Sequence, residues 1–418
     1  MKLLDAVVKE HTPTPAEMRK LNAVIREVLS AIRGELARRN IRAEVMLGGS
    51  AAKRTFLKHD FDCDCFVRFA PTKQDISDIT EKVLARFPDV ERVPGSRDYF
   101  QFELRGVAFE IVPVMKVDSH KEVRNVTDAS PLHVGWIMRH LRRKPALRRD
   151  ILLLKLLLKA NDLYGAESYI RAFSGHVVDL LVLAYGGFPQ LARAAAQWKP
   201  GVIIDVERHH QDAHRALNPS KHGPLMLVDP VQPERNAAAA LSEENFLRFT
   251  ALCRAFLKRP TKGMFSRKEL SESELRRKAG ERTLLLVDLA PKRQKRDIMG
   301  AKCLKVHHFL RASLEKHGFL LEDSGWRFLY GKESTALLWY ILSSDTIETH
   351  REHAGPPLSN TKHADIFRKK HDATYEREGK LYARVKRKHT SAAALVRELL
   401  AKPEVTGRVS RAALRSRG

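Results

Sequence analysis

The spacing of apolar residues in the first third of the chain predicts alternating helices and strands. Thr14-Pro15-Ala16-Glu17 has the form of a capping box with proline at the first helical position, and it starts a helix that we expect to run to about Arg39. The elements predicted after it are strands at 43–47 and 61–69, a helix near 73–86, and a hairpin at 98–113 that turns at Arg105-Gly106. This part of the chain is therefore predicted to contain a sheet with covering helices.

The pattern changes twice further along the chain. Residues from about 134 to 260 are predicted to be mostly helical, with helices at 149–160, 174–185, 187–196 and 242–258. From about 261 the predicted elements are a strand at 282–289, a helix at 298–317, strands at 319–329 and 336–343, a helix near Ala364, and strands at 374–377 and 381–386. The last ten residues are expected to be frayed. The chain is therefore predicted to be a multidomain α+β protein with domains at 1–145, 146–260 and 261–418.

Two aspartates stand at i, i+2 spacing in the second predicted strand. On a strand this spacing points Asp62 and Asp64 to the same face. The residues predicted to point to the other face are less polar: Phe61, Cys63 and Cys65. Because neighbouring carboxylates repel each other, such a pair favours a divalent cation such as Mg²⁺. The alternative is that both aspartates lie on the solvated face of an edge strand.

A glycine-serine turn precedes this pair. Gly49 and Ser50 offer backbone N–H groups and a hydroxyl, which suit the terminal phosphates of a nucleotide, and Lys53 and Arg54 add positive charge. A plain turn is the alternative interpretation. Turn and carboxylates together predict a site of nucleotidyl transfer.

Two further charged residues stand in apolar surroundings. Glu110 is the one charge in its predicted strand, and a metal shared with Asp62 and Asp64 would compensate its burial; alternatively it faces water at the end of the strand. Lys155 is flanked by leucines in a predicted helix, where it either extends to solvent or binds an anion.

The overall charge indicates a polyanionic partner. The 75 Lys and Arg exceed the 50 Asp and Glu by a formal charge of +25, which favours RNA or DNA. No signal-peptide pattern or long apolar run is present, so we expect a cytoplasmic protein that does not enter a membrane. The segment 361–418 has 16 Lys and Arg against 6 Asp and Glu, and aromatic residues are interleaved with them: Phe367, Tyr375 and Tyr382. We interpret this segment as an RNA-binding surface.

The four cysteines do not have the spacing of a metal site or a disulfide framework. Cys303 lies near His307 and His308, but their segment is amphipathic at helical period. We therefore expect these three residues on an exposed helix face rather than around zinc.

The block from Gly49 to Phe66 resembles the signature of the DNA polymerase β-like nucleotidyltransferase superfamily, and in detail it is similar to the archaeal CCA-adding enzymes, the class I tRNA nucleotidyltransferases. Further similar stretches follow in the family's order: Glu110-Ile-Val-Pro113, Ser130-Pro-Leu-His133, Lys155 through Glu167, Arg171-Ala-Phe-Ser-Gly175, and Val228-Asp-Pro230 through Arg235-Asn236. The likeness covers roughly residues 40–265 and continues more faintly to the end of the chain.

The resemblance implies a fold and an activity. The expected fold is a polymerase β-like nucleotidyltransferase head, a mostly helical central domain and a C-terminal α+β RNA-binding body and tail. The expected activity is addition of the 3′-terminal CCA to tRNA from CTP and ATP. Two Mg²⁺ ions would be held by Asp62, Asp64 and Glu110, although the family usually has Asp as its third carboxylate. The residues implied to bind the nucleotide are Gly49, Ser50, Lys53, Ser130, His133, Lys155, Tyr164 and Arg235.

Some of these roles have alternatives. The family commonly has arginine where Lys53 stands, so Arg54 is a second candidate for that role. Arg235 is implied to contact the base of the incoming nucleotide, but a salt bridge to Glu234 or Asp229 is the other interpretation. The expected partner is tRNA, bound at its acceptor stem and elbow, with a homodimer as one option for the assembly. The rival functions are a poly(A) or uridylyl polymerase of the same superfamily and an inactive RNA-binding protein.

Overall fold

The computed structural model describes residues 2–58, 61–267, 271–331 and 333–415. His59 and Asp60, which belong to the predicted turn-to-strand block, lie outside the described residues. The chain divides into two compact units, residues 1–268 and 269–418. The three domain boundaries drawn from the sequence stay a prediction.

The first unit begins with two helices, α1 (Lys2–His11) and α2 (Pro15–Arg38). The predicted capping box is confirmed: Thr14 Oγ1 accepts the Glu17 N–H at 3.3 Å, and the Glu17 carboxylate accepts the Thr14 N–H at 2.7 Å. Helix α1 was not predicted from the sequence. Its buried residue Val7 packs in an apolar core with residues from the helical half of this unit, so distant contacts stabilise this short helix.

A five-stranded sheet follows α2. Its elements are β1 (Ala43–Leu47), α3 (Gly49–Lys53), β2 (Asp62–Phe69), α4 (Ile76–Leu84), β3 (Glu91–Val93), β4 (Tyr99–Leu104) and β5 (Val107–Met115). The strand order is β1-β2-β5-β4-β3, and β2 and β5 run parallel while the other pairs are antiparallel. The predicted hairpin at Arg105-Gly106 is confirmed, because Leu104 pairs with Val107. Strand β3 was not predicted.

Helices dominate the rest of the first unit. They are α5 (Ser130–Arg143), α6 (Leu147–Ala160), α7 (Gly175–Tyr185), α8 (Phe188–Ala195), α9 (Ala213–Ala216) and α10 (Glu243–Lys258). A short parallel pair, β6 (Val202–Asp205) and β7 (Leu225–Val228), accompanies them. The four helices predicted here correspond to α6, α7, α8 and α10, and the residues Ser174 and Ser242 cap α7 and α10 by accepting backbone N–H groups.

The described residues of the second unit form two antiparallel sheets. Its elements are α11 (Glu272–Ala279), β8 (Thr283–Pro291), α12 (Arg296–Lys316), β9 (Leu321–Leu329), β10 (Thr335–Leu342), β11 (His350–Pro357), α13 (Thr361–Lys370), β12 (Thr374–Arg377), β13 (Lys380–Lys386), α14 (Ala392–Leu400), α15 (Pro403–Thr406) and β14 (Val409–Leu414). The sheet orders are β14-β8-β10-β9 and β11-β13-β12.

Several expectations for the second unit were wrong. Residues 409–414 are not frayed, because β14 pairs with β8; residues 416–418 lie outside the described part of the chain. Phe367 is 8% exposed and packs in the core beneath the smaller sheet, so it does not join an aromatic surface. Tyr375 and Tyr382 do stack on this sheet, with ring centroids 5.8 Å apart.

The predicted exposure of the Cys303 segment was also wrong for two of its three residues. Cys303 and His307 lie on the buried face of α12, whereas His308 is exposed. The Tyr340 hydroxyl donates to the His307 carbonyl oxygen at 3.1 Å and lies 3.2 Å from His307 Nδ1. All four cysteines have free, buried thiols. The sheet β14-β8-β10-β9 covers one face of α12, and helical periodicity alone could not predict this long-range contact.

Because burial lowers the pKa of His307 to about 4, protons favour the unfolded second unit in acid. The folded-state pKa lies below the unfolded value, so stability is present at neutral pH and falls as pH drops. We expect a loss of about 2 kcal/mol between about pH 7 and about pH 5 from this group. His307→Phe should remove this part of the pH dependence, and His308→Gln should retain it. Hydrogen exchange of the β10 amides, corrected for intrinsic rates, measures the pH dependence of stability in both variants. Equal pH dependence in wild type and His307→Phe would contradict a contribution from His307.

Candidate active site

The predicted carboxylates converge across two neighbouring strands. In the parallel register of β2 and β5, Asp64 lies opposite Glu110 and Asp62 lies opposite Ala108. Asp62 is exposed and Asp64 and Glu110 are half-buried. The predicted alternation is confirmed, because Cys63 and Cys65 are fully buried on the other face. Three carboxylates thus lie at one place on the sheet.

The carboxylates of this group destabilise one another in their ionised form. Burial raises the pKa of Asp64, and repulsion from Asp62 raises it further. Burial likewise raises the pKa of Glu110, followed by repulsion from Asp64, while the Gln101 amide opposes this by donating to Glu110 Oε2 at 3.0 Å. The arrangement therefore concentrates negative charge where water is partly excluded.

The predicted turn before β2 is a short helix, α3, and it packs directly on Asp64. Gly49 has a φ of +44°, and a Cβ at this position would lie 1.5 Å from Asp64 Oδ2. The Gly48 N–H also donates to the Asp64 carbonyl oxygen at 2.7 Å. A side chain at residue 49 would displace the carboxylate, and the positive φ would strain it, so both the contact and the backbone conformation favour glycine here.

Two lysines lie close enough to Asp64 to oppose the rise in its pKa, Lys53 and Lys155. Lys53 is ion-paired with Asp179 of α7, and these side chains are only 12% and 3% exposed. Lys155 is 9% exposed and donates to the Thr55 carbonyl oxygen at 3.3 Å, so it does not extend to solvent. Its ammonium lies 5.6 Å from the Tyr164 ring centroid. Helix α6 thus directs a buried cation toward the segment between α3 and β2.

A second cluster has the buried carboxylate of Asp229 at its centre. His133 Nε2 lies 2.9 Å from Asp229 Oδ1, and His176 Nε2 lies 3.2 Å from Oδ2. Arg235 Nη1 also donates to Oδ2 at 3.1 Å, which is the salt bridge given above as the other interpretation. Burial raises the pKa of Asp229, but the hydrogen bonds from the two histidines outweigh it and hold the pKa well below the ordinary range. Burial lowers the pKa of His176.

The remaining predicted residue, Ser130, is the first residue of α5, one helical turn before His133. It is half-buried. Helix α5 therefore carries both residues of the predicted Ser-Pro-Leu-His stretch.

Comparison with known proteins identifies the family. Residues 149–266 match the model described as tRNA nucleotidyltransferase, second domain, and residues 284–417 match the one described as CCA-adding enzyme, C-terminal domain. The CCA-adding enzyme of Nanoarchaeum equitans is 35% identical over 349 residues, which cover 81% of this chain and 83% of that protein. The CCA-adding enzyme of Methanosarcina barkeri is 29% identical over 94% of this chain and 88% of that protein.

This chain belongs to the CCA-adding enzyme family. The fold agrees with that membership. A crystal structure of the Cid1 poly(U) polymerase aligns with a TM-score of 0.52 at 15% identity, covering 64% of this chain and 98% of that chain. A cytoplasmic RNA terminal U-transferase aligns with a TM-score of 0.51 at 14% identity and the same coverage. The predicted polymerase β-like nucleotidyltransferase fold is thereby confirmed. No helix in the described part of the chain is long and apolar enough to cross a membrane.

Two residues that pair with residues of the candidate site were not predicted from the sequence: Asp179 and His176. Asp179 is the single charge in the apolar run from Val177 to Val182, which is the same signal that identified Glu110. His176 directly follows Ser174-Gly175, a stretch already noted for its resemblance to the family. Their partners lie 126 and 53 residues away, so the sequence offered the residues but not the pairing.

Exchange of Gly49 for alanine should destabilise the first unit by about 2 kcal/mol, from the left-handed conformation and the contact with Asp64. Gly34→Ala is the matched control: this exposed glycine of α2 has open space around the position of a Cβ. It should stabilise the unit by about 1 kcal/mol through helix propensity. Urea unfolding of both variants under one set of conditions gives the comparison, and equal effects would contradict the steric role of Gly49.

Proposed function

We propose that this chain adds the 3′-terminal CCA to tRNA, using CTP and ATP and no nucleic-acid template. The observation that carries the proposal is the match to proteins named CCA-adding enzyme over most of both chains. The sheet supports it, since β2 and β5 bring three carboxylates together next to α3. Such a group is unsuited to a purely structural role, because it raises the free energy of the unliganded fold.

The carboxylates fit two Mg²⁺ ions. Asp62, Asp64 and Glu110 supply oxygen ligands, and bound cations would offset the burial and the mutual repulsion that raise the pKa values of Asp64 and Glu110. Glutamate at position 110 is one methylene longer than aspartate and can still act as a ligand. When bound, the ions would lower the pKa of the RNA 3′-hydroxyl and neutralise the triphosphate and the leaving pyrophosphate.

The chain's own residues would hold the triphosphate. Ser50 supplies a hydroxyl from α3, and Lys53 and Lys155 supply positive charge close to Asp64. Asp179 holds Lys53 in place while it partly compensates the lysine's charge. Tyr164 borders Lys155 and Lys159, whose ammonium groups lie 5.6 and 4.8 Å from its ring centroid. Catalysis would then depend mainly on positioning and charge neutralisation.

The Asp229 cluster would serve the triphosphate through His133 and the base of the incoming nucleotide through Arg235. Asp229 orients His133 and Arg235, and 48% of the Arg235 side chain remains exposed. Cytosine and adenine both present an amine donor beside a ring-nitrogen acceptor, so one oriented pocket can select both and reject uracil and guanine. Buried groups left unpaired by a wrong base cost about 1–3 kcal/mol each.

The second unit would bind the body of the tRNA. Its basic tail carries the Tyr375–Tyr382 stack, and the Arg377 guanidinium lies 4.4 Å from the Tyr382 ring centroid. Stacked aromatic rings and arginine suit RNA bases and backbone. We assign the head to 1–145, the central domain to 146–260 and the body and tail to 261–418, with contacts to the acceptor stem and elbow. A homodimer is part of the same proposal.

A single product assay tests the function. Purified protein is given tRNA ending before its CCA together with all four NTPs, and the product is sequenced. We expect a main product three nucleotides longer, ending in CCA, because selection depends on the shared donor and acceptor edge of C and A. A long homopolymer tail, or UTP used as readily as CTP, would favour the poly(A) or uridylyl polymerase alternative. No incorporation at all would favour an inactive RNA-binding protein.

Asp64→Asn should separate metal binding from folding. The pKa of Asp64 is raised in the folded protein, so the free energy of unfolding falls as pH rises from the unfolded pKa of this group to its folded pKa. At neutral pH and without metal, the variant should therefore be more stable than the wild type. Mg²⁺ should raise the melting temperature of the wild type and have little effect on the variant. The variant should lose nearly all nucleotide incorporation while its affinity for tRNA stays within about threefold.

The matched control is Asp78→Asn, which removes an exposed carboxylate on α4 whose partner Arg92 keeps contacts to Glu81 and Asp98. It should keep wild-type activity and the wild-type response to Mg²⁺. Near-normal turnover in Asp64→Asn would contradict the assignment of Asp64.

A further inference from the structure

Helix α3 borders a cavity as well as the three carboxylates of the candidate active site. Its volume is about 390 Å³, and its walls come from α2, β1, α3, α5, α6 and the segment after α3. Its apolar lining includes Met18 and Ile25 of α2, Phe56, and Met138 of α5. This volume is within the range of cavities that bind small molecules or single groups of larger ones.

Three arginines also line this cavity: Arg54, Arg142 and Arg148. Arg54 and Arg142 are exposed, and neither has a carboxylate partner among the described residues. The carboxylate of Glu17, the residue before the cavity-lining Met18, is paired with Lys58. Two guanidinium groups thus border this partly apolar cavity without a compensating negative charge from the described residues.

The third arginine connects the cavity to the candidate active site. Arg148 Nε donates to the carbonyl oxygen of Lys53, the last residue of α3, at 3.0 Å, and Nη1 donates to the Leu141 carbonyl oxygen at 3.3 Å. At the other end of α3, Gly49 contacts Asp64. A helix of five residues is only about 7 Å long, so the cavity and the carboxylates border the same small element.

We propose that this arginine cavity binds a backbone phosphate of the tRNA within the few nucleotides before its 3′ end. The planar guanidinium forks of Arg54 and Arg142 match phosphate oxygens, and the apolar wall suits the attached ribose or base. The inference rests on the proposed function for the identity of the RNA. It also accounts for Arg54: this residue serves the RNA strand and Lys53 serves the triphosphate.

The first test measures binding without turnover. Affinity for tRNA ending before its CCA is measured by fluorescence anisotropy over a series of salt concentrations, for wild type and the double variant Arg54→Gln/Arg142→Gln. We expect about tenfold weaker binding and a salt dependence less steep by about one phosphate contact. CTP affinity without tRNA should be unchanged. Arg38→Gln, which removes an arginine of α2 that is paired with Glu35, should leave all three quantities unchanged.

The second test uses wild-type and variant protein with modified RNA. Single methylphosphonates, which remove one backbone charge, are placed in turn along the nucleotides before the 3′ end. One position should weaken binding to the wild type and add no further loss in the double variant.

The results that overturn the proposal are specific. Unchanged affinity and salt dependence in the double variant, or additive losses at every modified position, would exclude a phosphate in the cavity. Weaker CTP binding with unchanged tRNA binding would assign the cavity to a free nucleotide instead. Failure of the wild type to make CCA would refute the proposed function. The two failures can be told apart, because the binding measurements test the cavity without any nucleotide incorporation.

Discussion

The contact between Gly49 and Asp64 is the constraint on which the site depends. A carboxylate that is half-buried on a sheet, opposite Glu110 and beside Asp62, raises the free energy of the fold unless positive charge is supplied. The backbone of α3 packs against this carboxylate so closely that a Cβ at residue 49 would force the Asp64 side chain to move. Helix α3 therefore has a fixed position relative to the carboxylates, and its residues Ser50 and Lys53 are positioned with it.

Positive charge reaches the same place from two helices that are distant in sequence. Lys53 extends from α3 and is held by Asp179 of α7, and Lys155 extends from the buried face of α6. Neither lysine reaches solvent freely, so both act on Asp64 through a medium of low polarity, where charges interact strongly. The helical half of the first unit thus supplies Lys155 and the carboxylate that holds Lys53, so the charge around Asp64 depends on both halves of this unit.

Asp229 is likewise stabilised by groups from several segments of the chain. This fully buried carboxylate accepts hydrogen bonds from the backbone N–H groups of Val231 and Gln232 as well as from His133, His176 and Arg235. Because its charge is satisfied from several directions, it orients its partners instead of reacting. A structural salt bridge and a role in recognising the base are therefore compatible for Arg235, whose side chain is half exposed.

The sequence by itself determined the features that depend on neighbours along the chain. The i, i+2 spacing of Asp62 and Asp64, the capping box at Thr14 and the apolar periods of α6, α7 and α10 all follow from local geometry, and they were confirmed. Tertiary structure decided which faces are covered and which charges meet. It buried Cys303, His307 and Phe367, paired residues 409–414 with β8, joined Lys53 to Asp179 and gathered two histidines on Asp229. Helical and strand periods show that a residue faces one side of its element, but only the packing of distant elements determines what lies there.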